Sequence, residues 1–377
     1  MRLGLCSALA LGATVAALGQ PVITSFSANG VLACGNLAPG SVAVVEWAAS
    51  VTGPWTNNWA GLEAVTADAN GKIQVSVPMF YRVRGTTNNS APSGMALIPA
   101  GPFVMGDTFG EGGSGELPLH TNQVSAFYLD KFEITKALWD SVYSWAITNG
   151  YSFDYGTAQG KATNHPAHTM TWYDAVKWCN ARSEQEGRTP AYYTDAGQTL
   201  VYRTGQTSVQ NDWVKWSSGY RLPTEAEWEK AARGGVSGQR FPWGNTISWG
   251  QANYYAHPLS AGGYAYDVNA TSGWNPAWTG GGYTYTTTVG TFAANGYGLY
   301  DMAGNVGEWC WDWYDGTYYT SSPGTDPRGP VSGSYRVDRG GGWGSYADYC
   351  RAAARGSIGP DNRYGNIGFR SALPSGQ

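Results

Sequence analysis

The sequence predicts an α+β fold, rich in loops and preceded by a small all-β module. Three observations carry that expectation. Of 377 residues, 53 are glycine, 25 tyrosine and 18 tryptophan, while Asp, Glu, Lys and Arg together make up only 13%; that is the make-up of loops pinned by large aromatic anchors, not of a helical bundle. The first 90 residues hold β-rich runs separated by Asn-Gly turns. Helix-cap signatures occur at three places before residue 235 and nowhere after it. The formal charge of -4 comes without any basic run, so there is no electrostatic footprint for nucleic acid.

Residues 1–19 read as an export signal. Arg2 supplies a positive end, an apolar run from Leu3 to Leu18 follows, and Ala17-Leu-Gly19 before Gln20 offers small residues for cleavage. The run is short for a membrane span, and no second hydrophobic segment exists. The expectation is a secreted or periplasmic protein. Removing the signal leaves Cys34, Cys179, Cys310 and Cys350. Four cysteines in a chain of this size are no disulfide framework, and one pair with two single thiols or two pairs are both open.

Residues 20–88 form the β-rich module. Its strands are expected at Val22–Phe26, Ser41–Trp47 and Lys72–Val77, with a closing strand at Phe80–Arg84 and turns at Asn29-Gly30 and Asn70-Gly71. Lacking a titratable cluster, the module reads as a spacer or docking unit. Residues 89–94 are a linker rich in Asn, Ser and Pro, and the main domain runs over 95–377. It opens with two short strands about a Pro/Gly turn in Ala96–Gly106. Thr135 caps a helix carrying Leu138, Trp139 and Val142. Thr171 caps a second, which buries Ala175, Val176 and Cys179 and stops at Gly187. Thr224-Glu-Ala-Glu227 is a capping box, and Gly234-Gly235 closes the third helix.

The stretch Asn295-Gly-Tyr-Gly-Leu-Tyr-Asp-Met-Ala-Gly-Asn-Val-Gly-Glu-Trp309 packs carboxylates, amides and glycines into one short loop. Ca²⁺ takes several carboxylate, amide and carbonyl oxygens in flexible geometry, and glycine permits the close curl around it. The side chains of Asp301, Asn305 and Glu308 and the carbonyls near Gly304 and Val306 are the candidate ligands. The alternative is a turn in which Asp and Asn bond their own backbone.

Several segments occur in a fixed order: Met95–Asp107, Tyr128–Thr135, Arg221–Gly235, Phe241-Pro-Trp-Gly-Asn245, the Asn295–Trp309 loop, Arg339-Gly-Gly-Gly-Trp343 and Gly368-Phe-Arg370. Together they resemble the formylglycine-generating enzyme family, also called sulfatase-modifying factors, over about residues 95–373. The resemblance implies a C-type-lectin-like fold bound to structural calcium. One calcium site falls on Asp301, Gly304, Val306 and Glu308. A second begins at Asn253 and Tyr254, with Asp267 as a further ligand.

Family enzymes oxidise a cysteine of a substrate protein or peptide to formylglycine, using copper and two thiols in the pattern Gly-Gly-Ser, two residues, Cys, four residues, Cys. Cu(I) is soft and selects thiolates. Here Gly342 stands at the motif serine and Ser345 at the first cysteine. Cys350 falls on the second cysteine when counted from upstream and on no catalytic position when counted back from Arg355. A serine hydroxyl cannot replace a soft anionic ligand, so a copper site requires Cys310 beside Cys350; in an exported chain the same two residues are expected to form a disulfide instead. Of His120, His165, His168 and His257, none sits in an iron-site pattern. The alternative function is a non-catalytic domain that binds a surface protein or glycan. Its contact surface is the loops of 344–367, whose Gly, Ser, Tyr, Asp and Asn suit an adaptable surface.

Overall fold

The computed structural model describes residues 22–26, 31–37, 39, 42–47, 65–76, 81–85, 91–280 and 285–375. The chain divides into two compact units, Met1–Ser90 and Ala91–Gln377. The expected export signal and the Asn29-Gly30 turn lie outside the described residues.

In the first unit the strands are β1 (Val22–Phe26), β2 (Val31–Gly35), β3 (Val42–Trp47), β4 (Val65–Thr66), β5 (Ile73–Ser76) and β6 (Tyr81–Gly85). They form two antiparallel three-stranded sheets, β1-β2-β5 and β4-β3-β6. β2 and β4 are additional to the runs expected from sequence; β4 is only two residues long and exists through its pairing with β3. The Asn70-Gly71 turn forms as its residue types require. Asp68 accepts the N–H groups of Asn70 and Lys72, and Gly71 has φ +67° with the Leu37 carbonyl 1.9 Å from where a Cβ would stand.

The second unit begins with β7 (Met95–Ile98), β8 (Gly101–Met105), β9 (His120–Val124) and β10 (Phe127–Asp130). Three helices follow: α1 (Lys136–Ala146), α2 (Trp172–Gln185) and α3 (Glu225–Ala232). Beyond α3 the described residues form 3-10 turns and the strands β11 (Tyr255–Ala256), β12 (Gly273–Trp274), β13 (Gly307–Trp313), β14 (Arg336–Arg339), β15 (Gly356–Ile358), β16 (Ile367–Gly368) and β17 (Ala372–Pro374). β7 and β8 flank the expected Pro/Gly turn but do not pair with each other: β7 joins the sheet β17-β10-β7, and β8 pairs β9. No helix among the described residues is long and apolar enough to cross a membrane.

The helix starts are set by their caps. Thr135 and Thr171 accept the N–H groups of Leu138 and Asp174, and Thr224 and Glu227 form the reciprocal capping box. Along α2, 12 of 14 residues are buried, so its charged side chains must be paired. Lys177 lies 3.1 Å from both Asp154 and Asp174, and Arg182 lies 2.8 Å from Asp130.

The strand that positions the site is β13, central in the sheet β15-β14-β13-β16 and buried along its whole length. Its sequence Gly-Glu-Trp-Cys-Trp-Asp-Trp alternates, and alternate side chains point to opposite faces. Trp309 and Trp311 enter the core shared with α1 and α2. Glu308, Cys310 and Asp312 turn toward α3, where Trp228 Nε1 donates to Glu308 and the Glu225 N–H donates to Asp312. Strand periodicity thus delivers two carboxylates and a thiol to the helix side of the sheet.

Candidate functional site

The loop entering β13 is held by backbone conformations that few residue types adopt. Asp301, Gly304 and Asn305 have φ of +55°, +81° and +62°, the left-handed region tolerated by Asp, Asn and Gly. Gly304 is required: a Cβ there would lie 2.4 Å from the Asn253 carbonyl, which accepts the Asn305 N–H at 2.7 Å. Asn295 fastens the start of the loop by donating to the Ala231 and Ala232 carbonyls at the end of α3.

Three buried carboxylates gather around one guanidinium here. Glu308 accepts three bonds of 2.7–2.9 Å from Arg370 and one of 2.7 Å from Trp228. Glu133 accepts from the Asn305 amide at 2.6 Å and the Val306 N–H at 2.9 Å. Asp301 Oδ2 accepts the Gly290 N–H at 2.6 Å, while Oδ1 is buried with no hydrogen-bond partner. Burial pushes the Asp301 carboxyl up to about 6. Burial, then the charges of Asp301 and Glu308, push Glu133 well above the usual carboxylate range. Three carboxyls share one guanidinium at this centre, so without a cation burial favours their protonated forms.

No three His, Cys, Asp or Glu side chains converge as a metal cage among the described residues. A ligand set for a cation therefore has to draw on backbone carbonyls as well as Asp301. At the second expected site the side chains bond one another. Tyr254 donates to Asp267 Oδ1 at 2.8 Å, the His257 N–H donates to Oδ2 at 2.6 Å, and Asn269 bonds both Tyr254 and Asp267. The Asp267 carboxylate is filled by protein donors, and the Asn253 amide donates to the Tyr285 carbonyl.

The expected Cys310–Cys350 disulfide does not form: both thiols are free and fully buried. The reason is where their elements point them. Cys310 lies on the α3 face of β13 among Ala226, Trp228 and Leu299, whereas Cys350 sits in a separate apolar cluster with Phe241, Ile247 and Tyr254. The two thiols therefore belong to different apolar clusters. Burial pushes the Cys310 thiol well up and the Cys350 thiol up as well, which opposes the thiolate that a soft metal requires. Ser345, at the first motif position, uses its hydroxyl to accept the Gly342 N–H at 3.0 Å. The histidines are dispersed: His165 bonds Thr286, His168 bonds Thr169 and His257 stacks on Tyr346.

A family description, the sulfatase-modifying factor enzyme 1-like domain, matches residues 81–374. The chain belongs to this family. Among its relatives, the formylglycine-generating enzyme of Streptomyces coelicolor is 35% identical over 297 residues, covering 74% of this chain and 88% of that one. The formylglycine-generating enzyme of Thermomonospora curvata is 35% identical over 301 residues, covering 74% and 93%. The solved structure of Treponema denticola variable protein 1 superposes with a TM-score of 0.55 at 29% identity, covering 79% of this chain and 97% of that one. The fold is the C-type-lectin-like arrangement of the sulfatase-modifying factors.

Sequence reasoning left Glu133 and Arg370 without a role. Both fall inside the ordered segments that carry the family resemblance, in Tyr128–Thr135 and Gly368-Phe-Arg370. The signal available was an ionisable residue inside an otherwise apolar segment, since a buried charge needs a partner. Also unanticipated is a cavity of about 390 Å³ bounded by the segments near residues 111–116 and 348–355.

Proposed function

We propose that this chain is an exported, calcium-braced binding member of the sulfatase-modifying factor family, using the surface of residues 344–367 rather than a thiol pair. The observation that carries this reading is the placement of Cys310 and Cys350 in two separate apolar clusters, each fully buried. Ser345 stands where the first family cysteine is expected, with its hydroxyl spent on its own loop.

Calcium is supported by charge and by an unmet acceptor. Three carboxylates face one guanidinium, and Asp301 Oδ1 is buried without a partner. A hard divalent cation meets both conditions. Asp301 and the carbonyls of Gly304 and Val306 are the residues to hold it, with Glu308 retained by Arg370. The ion's role is structural: it compensates the carboxylates as they ionise and braces the loop that feeds β13.

The test of the binding reading is incubation of the full chain with Cu(I), O₂ and a Cys-x-Pro-x-Arg peptide, following the substrate thiol by mass. The expected result is no conversion to formylglycine. Turnover would show that a cysteine-containing peptide is its substrate and would overturn the reading.

A further inference from the structure

The cavity beside the 348–355 segment has walls of unusual make-up. Tyr264, Tyr314 and Tyr349 supply ring surface, and Glu111, Asp348 and Arg351 supply charge. At about 390 Å³ it has the size of a small-ligand site. Its positive groups are already matched. Arg351 makes two bonds of 2.7 and 2.8 Å to Glu116 and lies 3.5 Å from Asp107. Arg355 is bound by Glu225 at 2.6 and 2.8 Å and donates to the Gly115 and Asp315 carbonyls. Glu111 is held by Arg240 at 2.8 and 2.9 Å. The cavity therefore has no uncommitted positive charge to offer an anion.

Asp348 is the charge left over. Its partners are neutral: the Tyr264 hydroxyl and the Tyr349 N–H, the latter at 3.0 Å. The ion pairs of the walls leave it out. Tyrosine faces attract cations through the ring quadrupole, and the neighbouring structure already uses that attraction. Arg355 lies 4.8 Å from the Tyr314 centroid, and Arg240 lies 4.6 Å from the ring of Tyr266, which in turn stacks on Tyr264. Tyr349 is 52% exposed beside the uncompensated carboxylate.

We infer that this cavity binds a guanidinium or alkylammonium group, with Asp348 as its counter-ion and the Tyr264 and Tyr349 rings as its walls. The cation is a free small amine or a basic side chain displayed by a partner protein; the chemistry of capture is the same. The inference rests on the binding reading given above and names the ligand class of that surface.

The test titrates the full chain with probes that contain no cysteine, so it is read independently of any oxidation. Agmatine represents the free cation, a Gly-Gly-Arg-Gly-Gly peptide the displayed side chain, and the same peptide with citrulline the neutral isostere. At low salt, a cationic probe is expected to bind about tenfold or more tighter than the citrulline peptide. Asp348→Asn is expected to remove that preference while leaving the melting temperature unchanged, since the side chain is only partly buried and in no ion pair among the described residues. A tighter peptide identifies a protein partner, and equal affinities identify a free amine. Binding of neither cation, equal binding of the citrulline peptide, or an unaffected Asp348→Asn variant overturns the inference, as does binding of a neutral saccharide alone.

Discussion

Arg370 and Glu308 are joined by three hydrogen bonds of 2.7–2.9 Å inside the second unit, with both side chains essentially inaccessible to solvent. The remaining guanidinium donors go to the carbonyls of Asp130, Lys131 and Tyr300. One side chain thus ties β10, the 295–306 loop and β13 together.

The pair is asymmetric, which makes its two halves distinguishable. Removing Arg370 strands Glu308 beside Glu133 and Asp301, and breaking a buried pair this way costs about 3–5 kcal/mol. Removing the charge of Glu308 leaves Arg370 facing the two other carboxylates. Arg370→Met should therefore lower the urea midpoint more than Glu308→Gln does. Equal losses would mean that Glu133 and Asp301 do not share the guanidinium.

The thiols give a direct chemical readout. Cys34, Cys179, Cys310 and Cys350 are all free and buried, and burial raises each thiol above its ordinary value. Under native conditions an aromatic disulfide reagent should label none of the four rapidly, and after unfolding it should label all four without prior reduction. Two thiols missing from the unfolded count would reveal a bridge.

What the sequence made legible divides along range. The caps at Thr135, Thr171 and Thr224 are decided by residues three positions apart, and all three formed where expected. The strand Gly307–Trp313 alternates visibly, yet its text does not say which face meets α3; that depends on Trp228 reaching Glu308 across 80 residues. Arg370 and Glu133 were visible only as charges in apolar company, because their partners lie 62 and 173 positions away. The Cys310–Cys350 bridge was inferred from composition and compartment, whereas the strand face of Cys310 and the Phe241 cluster around Cys350 decide the outcome.

Stability should depend on pH through Asp338. Its Oδ1 is buried with no partner, and burial raises the carboxyl to about 7. A carboxyl whose folded value is raised favours the folded chain fully below its unfolded value of about 4, and that contribution is lost as pH rises through 7. Unfolding free energy should fall between pH 4 and 7, and Asp338→Asn should flatten part of that slope and gain most at pH 8. Gly356 provides a steric control: a Cβ there would stand 2.2 Å from Asp338 Oδ1, so Gly356→Ala should destabilise at every pH. A slope unchanged in Asp338→Asn would remove Asp338 as its source.

Calcium should act through Asp301, and one substitution separates charge from backbone. Asp301 has φ +55°, and asparagine tolerates that region as well as aspartate does, so Asp301→Asn preserves the turn while removing one of three clustered negative charges. In chelator the variant should be at least as stable as the parent, because repulsion with Glu133 is relieved. The parent should gain about 2.7 kcal/mol when free calcium reaches a hundred times its dissociation constant, and the variant should gain far less. The measurement is the melting temperature of both chains in chelator and across a calcium series. A parent that melts at the same temperature throughout has no such ion, and an Asp301→Asn chain that gains as much as the parent places the ion elsewhere.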